Sequence, residues 1–175
     1  LRLRPHFAGF LLMKEIQLTQ GQVALIDDDD FESVSKHKWY AKKNNVKCKI
    51  VYYACTNITL NGKRNTIRMH QFILGKAPNG KEIDHANGIT LDNQRDNIRF
   101  CTRQQNRYNS MGSPYSVTKC KGVTYNEKSK MYRVRVNRDG KRVHVGCFAI
   151  LEEAVAMYDI YALRYQGEFA YLNDR

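Results

Sequence analysis

Residues 82–109, EIDHANGITLDNQRDNIRFCTRQQNRYN, constrain the fold more than any other stretch of this chain. Residues 81–85 read as a short strand, 86–96 as a loop and 97–101 as a returning strand. Asn87-Gly88 marks a turn within the loop. Thr102-x-x-Gln105 is a capping box, in which the hydroxyl and the amide each satisfy an end-of-helix N–H, so a helix is expected from Arg103. That order of elements puts Asn106 on the first or second helical turn, facing back toward the hairpin. Adjacent residues on a regular strand point to opposite faces, so Asp84 and His85 can serve one site only where strand gives way to loop.

The same segment carries side chains with a common chemistry. An imidazole (His85) beside a carboxylate (Asp84), with amide oxygens from Asn97 and Asn106, can hold one hard cation and activate one water. Arg95, Arg99, Arg103 and Arg107 add the positive charge that a phosphodiester needs. Composition points the same way. The chain carries a formal charge of +12 and a pI near 9.6, the footprint of a polyanionic partner, nucleic acid before membrane. Residues 119–144 alone hold nine Lys/Arg against two Asp/Glu, so the charge is clustered rather than spread. The five cysteines (48, 55, 101, 120, 147) form no C-x-x-C pair and are read as free thiols of a reducing cytoplasm rather than as zinc ligands. No apolar run approaches the length of a membrane span. No aromatic stacking motif of the common RNA modules is present, which disfavours an RNA-directed protein.

At 175 residues the chain suits one domain or two small ones. Residues 1–12 contain a short apolar run after two arginines but no small-residue cleavage site, and are read as a tail or upstream sequence. Residues 13–68 have strand texture: 15–18 and 23–26 flank Gln20-Gly21, 38–42 and 51–60 follow, and Asn61-Gly62 is a two-residue hairpin turn into 63–68. Asp27 to Asp30 lack the alternating spacing of a calcium loop and are read as a solvated acidic face on a short turn or helix. The role of this block is open, scaffold or additional DNA contact. Residues 110–116, rich in Ser, Gly and Pro, read as a linker.

Beyond it, 121–125, 131–137 and 141–148 read as three strands. The middle one alternates, with Tyr132, Val134 and Val136 on one face and Arg133, Arg135 and Asn137 on the other. Residues 151–165 then place apolar side chains at 151, 154, 155, 158, 162 and 165, a helical stripe suited to covering the apolar sheet face. The arginine face stays open, and such a sheet can lie in a DNA major groove.

On Met69-His70, Asp84-His85-x-Asn87-Gly88, Leu91-Asp92-Asn93, Asn97-Ile98-Arg99 and Gln105-Asn106, this chain resembles the HNH endonucleases, in particular the homing-type enzymes of phages and introns. The resemblance spans about forty residues and implies a ββα-metal core over 69–110. It implies His85 as the base that deprotonates the attacking water, Asn97 as the residue that orients His85, and Asp84 and Asn106 as ligands of one Mg²⁺ or Mn²⁺. Many relatives have Arg after the Met-His pair, where this chain has Gln71. His70 is open between a packing role and a supporting role at the site.

A second resemblance rests on Lys121-Gly122-Val123, the 132–136 strand, Val145-Gly146-x-Phe148, Glu152-Glu153-Ala154, Ala156-x-Tyr158-Asp159, Gly167 and Asn173. It is to the Apetala-type (ethylene-response-factor) DNA-binding domain, over about 55 residues, here 119–175 with 111–118 as linker. It implies DNA contacts from Lys121, Arg133, Arg135, Asn137, Arg142 and His144. His144 stands where the plant domains often have Trp, and Ile150 replaces the usual Thr cap, at a cost of about 1 kcal/mol. The expectation is therefore an α+β protein: a β-rich segment, a nuclease core, and a three-stranded antiparallel sheet on one helix. Its activity would be metal-dependent cleavage of double-stranded DNA to 5′-phosphate and 3′-hydroxyl ends, as a nicking monomer or a homodimer, in the host cytoplasm if phage-encoded. The alternative is a DNA-binding regulator with a decayed nuclease core.

Overall fold

Antiparallel hairpins build much of the molecule, and several of them close on turns with positive φ. The computed structural model describes residues 13–46 and 49–173, so the tail expected at 1–12 and Cys48 lie outside the described residues. Strands β1 (Met13–Gln17) and β2 (Val23–Asp27) pair from Met13↔Asp27 to Gln17↔Val23 across a turn with Gln20 at φ 62° and Gly21 at φ 64°. Helix α1 (Asp28–Ser35) follows directly. Then β3 (Tyr40–Val46), β4 (Lys49–Leu60) and β5 (Lys63–Arg68) form an antiparallel sheet in that order. Asn61 and Gly62, at φ 50° and 72°, make the tight turn that matches strand twist. A six-residue helix, α2 (Met69–Leu74), stops at Gly75. Strands β6 (Lys81–His85) and β7 (Ile98–Thr102) pair with each other, and α3 (Arg103–Asn109) starts at the capping box, where Thr102 Oγ1 accepts from Gln105 N at 3.2 Å and Gln105 Oε1 from Thr102 N at 2.8 Å. The last sheet, ordered β10-β9-β8, comprises β8 (Val123–Asn126), β9 (Met131–Arg138) and β10 (Lys141–Phe148), followed by α4 (Leu151–Gln166). This is a mixed α and β fold of small sheets and short helices. Among the described residues, no helix is long and apolar enough to cross a membrane.

The chain divides into two compact units, residues 1–79 with 83–100 and residues 80–82 with 101–175, so that β6 and β7 each run from one into the other. In the first unit Ala24, Ile26, Val34, Trp39, Ala41, Ala54 and Met69 are buried together, with Leu91 packed against them. The Trp39 indole N–H donates to the Val34 carbonyl at 2.8 Å, which satisfies its polar edge inside the core. In the second unit Val123, Val134 and Val136 are buried with Ala154, Tyr158 and Ala162 of α4. Gly122, at φ 73°, has no room for a side chain: a Cβ would fall inside the Tyr158 ring and 2.6 Å from the Arg135 carbonyl. Ile150 gives α4 no side-chain cap.

The division does not fall at 111–118. That stretch is knitted by Ser116 N to Ser113 O (3.2 Å), Lys119 N to Ser116 O (2.9 Å) and Thr118 Oγ1 to Val123 O (2.7 Å), and α3 belongs to the same unit as the C-terminal sheet.

Candidate active site

The long loop between β6 and β7 is built around its asparagines. Asn87 and Gly88 make the expected turn: Asn87 Oδ1 accepts from Ile89 N at 2.8 Å, and Gly88, at φ 75°, donates to the His85 carbonyl at 2.9 Å. Asn97 ties both ends of the loop. Its Oδ1 accepts from Asn87 N at 2.9 Å and its Nδ2 donates to the Asp92 carbonyl at 2.7 Å, while the Asn97 carbonyl takes Ala86 N at 2.8 Å. Asp84 and His85, at the end of β6, are both buried.

The residue set against the imidazole is Asn93. His85 Nε2 lies 3.4 Å from Asn93 Oδ1, and Asn93 Nδ2 donates to the Leu91 carbonyl at 3.0 Å. That second bond fixes which end of the amide faces the ring. An oxygen facing Nε2 requires a proton on Nε2, which leaves the basic lone pair on Nδ1. Asn93 thus faces the His85 imidazole, while Asn97, expected to orient His85, takes Asn87 N and the Asp92 carbonyl and so shapes the loop. The sequence signal for Asn93 was its place in the Leu91-Asp92-Asn93 run, which names no role.

Electrostatics around His85 pull in two directions. Burial lowers the His85 pKa, while Asn93, Asp84 and Asp92 raise it and Arg68 lowers it. His70 packs edge-on to His85 with ring centroids 5.0 Å apart, and Tyr53 stands 6.1 Å from His70 and 6.4 Å from His85. Burial above all, then His85 and Arg68, holds His70 down to about 3.

Two arginines expected on phosphate are paired with carboxylates in this structure. Arg99 approaches Asp84 Oδ2 through Nε (3.3 Å) and Nη2 (3.2 Å). Arg95 grips Asp30 with both prongs, Nε to Oδ2 at 2.8 Å and Nη2 to Oδ1 at 2.6 Å. The acidic run is corrected in part: Asp27 and Asp30 are 7% and 5% exposed, while Asp28 and Asp29 are exposed as expected. Asp27 Oδ2 accepts the backbone N–H of Arg95 at 2.8 Å, and Gln94 Nε2 reaches Asp27 Oδ1 at 3.3 Å. Backbone bonds from Leu25 N to Leu91 O (2.9 Å) and Asn93 N to Leu25 O (2.8 Å) lay the loop along β2. The N-terminal block is thus a splint for the loop that carries Asn93 and Asn97.

The remaining expected residues lie in the second unit. Asn106, on α3, donates from Nδ2 to Glu82 Oε2 at 2.6 Å. Arg103 and Arg107 are exposed on the same helix. Lys121, expected at DNA, donates its ammonium to the carbonyls of Arg107 (3.3 Å), Ser110 (2.7 Å) and Tyr108, and so closes the C-terminal end of α3. Arg135 lies opposite His144, Asn137 opposite Arg142, and Arg133 opposite Cys147, on the sheet face turned away from the buried Val134 and Val136. Arg135, Asn137, Arg142 and His144 are exposed and Arg133 partly so.

Comparison with known proteins places these observations. Residues 69–108 match the family model of the HNH endonuclease. Over 156 residues the chain is 29% identical to a protein of Acanthamoeba polyphaga mimivirus described as an uncharacterized HNH endonuclease, covering 86% of this chain and 74% of that one. It is 26% identical over 95 residues to Protein 3.8 of Escherichia phage T7, covering 54% of this chain and 78% of that protein. No solved structure matches the chain. The segment 69–108 is an HNH endonuclease domain, and the chain carrying it is an enzyme of the nuclease class.

Proposed function

We propose that the chain is a metal-dependent DNA endonuclease, with Nδ1 of His85 as the base that takes the proton from the attacking water. The single observation that carries the reading is the buried Asp84-His85 pair with Asn93 aiming the imidazole, inside the segment that matches the nuclease family. Asn93 and Asn97 hold the ring and its loop, so attack needs little reorganisation. Asp84 offers a carboxylate, with amide oxygens in the same motif, a donor set suited to Mg²⁺ or Mn²⁺. A divalent cation bound there would supply charge for the phosphate oxygens as the P–O bond breaks. Asn106 is proposed as its second oxygen donor from its place in the motif. Water attacks in line and leaves a 5′-phosphate and a 3′-hydroxyl. One such centre per chain makes a nick, as in the homing-type enzymes it resembles. The open face of the C-terminal sheet, with Arg133, Arg135, Asn137, Arg142 and His144, is proposed as an Apetala-type reader of double-stranded DNA.

The test is plasmid nicking in Mg²⁺ by wild type and by His85→Ala. Wild type is expected to convert supercoiled plasmid to open circles, and His85→Ala to be slower by roughly 100-fold or more. Equal rates would remove His85 as the base. Tight binding without any nicking would favour a DNA-binding regulator.

A further inference from the structure

Arg68 closes β5, directly before α2. It lies opposite Cys55 in register, so Tyr53, two residues away on the same face of β4, is its diagonal neighbour. The guanidinium carbon of Arg68 stands 4.5 Å from the Tyr53 ring centroid, a stacked cation. The same ring meets His70 and His85, so Tyr53 is shared by the guanidinium and by both imidazoles. Arg68 is exposed, whereas Arg95 and Arg99 are joined to Asp30 and Asp84. Among the described residues no carboxylate pairs with Arg68. Gln71, one turn on, is uncharged, and its Oε1 accepts from Arg68 N at 3.2 Å.

From this placement we infer that Arg68 is a catalytic residue that grips the scissile phosphate, with Tyr53 as its platform. A guanidinium presents a planar fork of donors that matches two phosphate oxygens at once, and stacking on a ring fixes that fork before substrate arrives. The inference rests on the nuclease reading above and adds to it the group that holds the phosphate against His85.

The experiment compares wild type, Arg68→Met, Arg68→Lys and His85→Ala in Mg²⁺ at saturating plasmid. Arg68→Met is expected to nick roughly 100-fold more slowly, as for removal of one charge-stabilising donor, with partial recovery in Arg68→Lys. Binding is then measured in the His85→Ala background on a duplex spanning a mapped nick, with the scissile linkage natural or a neutral methylphosphonate. Arg68→Met is expected to weaken binding to the natural duplex and to lower the salt slope by about one. It should have no further effect on the neutral one. Equal weakening on both duplexes overturns the inference, because Arg68 then acts through the fold. Nicking by Arg68→Met within twofold of wild type, with His85→Ala inactive, overturns it and leaves the nuclease standing. Intact plasmid with every protein, wild type included, sinks the nuclease reading and this assignment together.

Discussion

His70 and Asn93 show how much of a site can rest on single buried side chains. His70 is 3% exposed and its pKa is held down to about 3. The unfolded chain takes a proton there below about pH 6.5, while the folded chain refuses it until far lower, so the unfolded state binds more protons across that window. Stability therefore rises with pH and is lost as pH falls. At about 1.4 kcal/mol per unit, this ring alone removes roughly 2–3 kcal/mol between about pH 6.5 and 4.5, and the lowered pKa of His85 adds in the same direction. His70→Gln is expected to flatten the pH dependence of the urea midpoint, followed by emission of Trp39, the chain's one tryptophan. Parallel slopes for wild type and variant would show that the ring does not titrate in this way. The sequence made His70 visible as one half of a Met-His pair but left its role open, because burial depends on what packs over it. Asn93 was legible only as a motif letter for a related reason. Which asparagine faces the imidazole depends on the path of the loop, and that path is set by Leu25 and Asp27, far away in the chain.

Among the elements, those with local causes were readable: the hairpin at Asn61-Gly62, the box at Thr102 and Gln105, the alternation of 131–137 and the stripe along α4. Helix α2 was not, since six residues are too few to show a period. Nor was the splint. The carboxylates of Asp27 and Asp30 meet Gln94 and Arg95 across separations of 65 to 68 residues, and an acidic run with no partner in view reads as solvent-facing. Its removal gives an element-level prediction. Asp27→Ala deletes a charge-assisted bond to the Arg95 N–H and leaves that donor, at a partly buried site, with no carboxylate. The expected cost is about 1.5–3 kcal/mol in the urea midpoint of Trp39 emission. Nicking at saturating DNA should fall with it, because the loop that holds Asn93 and Asn97 loses its anchor. Plasmid affinity is expected to stay within a few-fold, the sheet of the second unit being untouched. Unchanged midpoint and rate in Asp27→Ala would reduce the splint to an incidental contact.

For the whole molecule, the family match and the structural division do not coincide. The match ends at residue 108, yet α3 is anchored within the unit that continues to the C-terminal sheet. Three carbonyls at the end of α3 are held by the Lys121 ammonium, Tyr171 N donates to the Tyr108 carbonyl at 3.2 Å, and Tyr108 itself is buried. A seven-residue helix cannot sustain itself in water, where isolated helices shorter than about 12–15 residues are marginal. A chain ended at Asn109 therefore keeps every residue of the match and loses what holds α3, and with it the placement of Asn106. We expect it to nick at least tenfold more slowly than the full chain at saturating plasmid, a loss in kcat beyond any weakening of DNA binding. Lys121→Met separates the two causes. It keeps the arginine face of the sheet, so its plasmid affinity should stay close to that of wild type while its rate falls toward that of the shortened chain. Full nicking by the shortened chain would mean that α3 folds without the C-terminal sheet, and that this sheet serves DNA affinity alone.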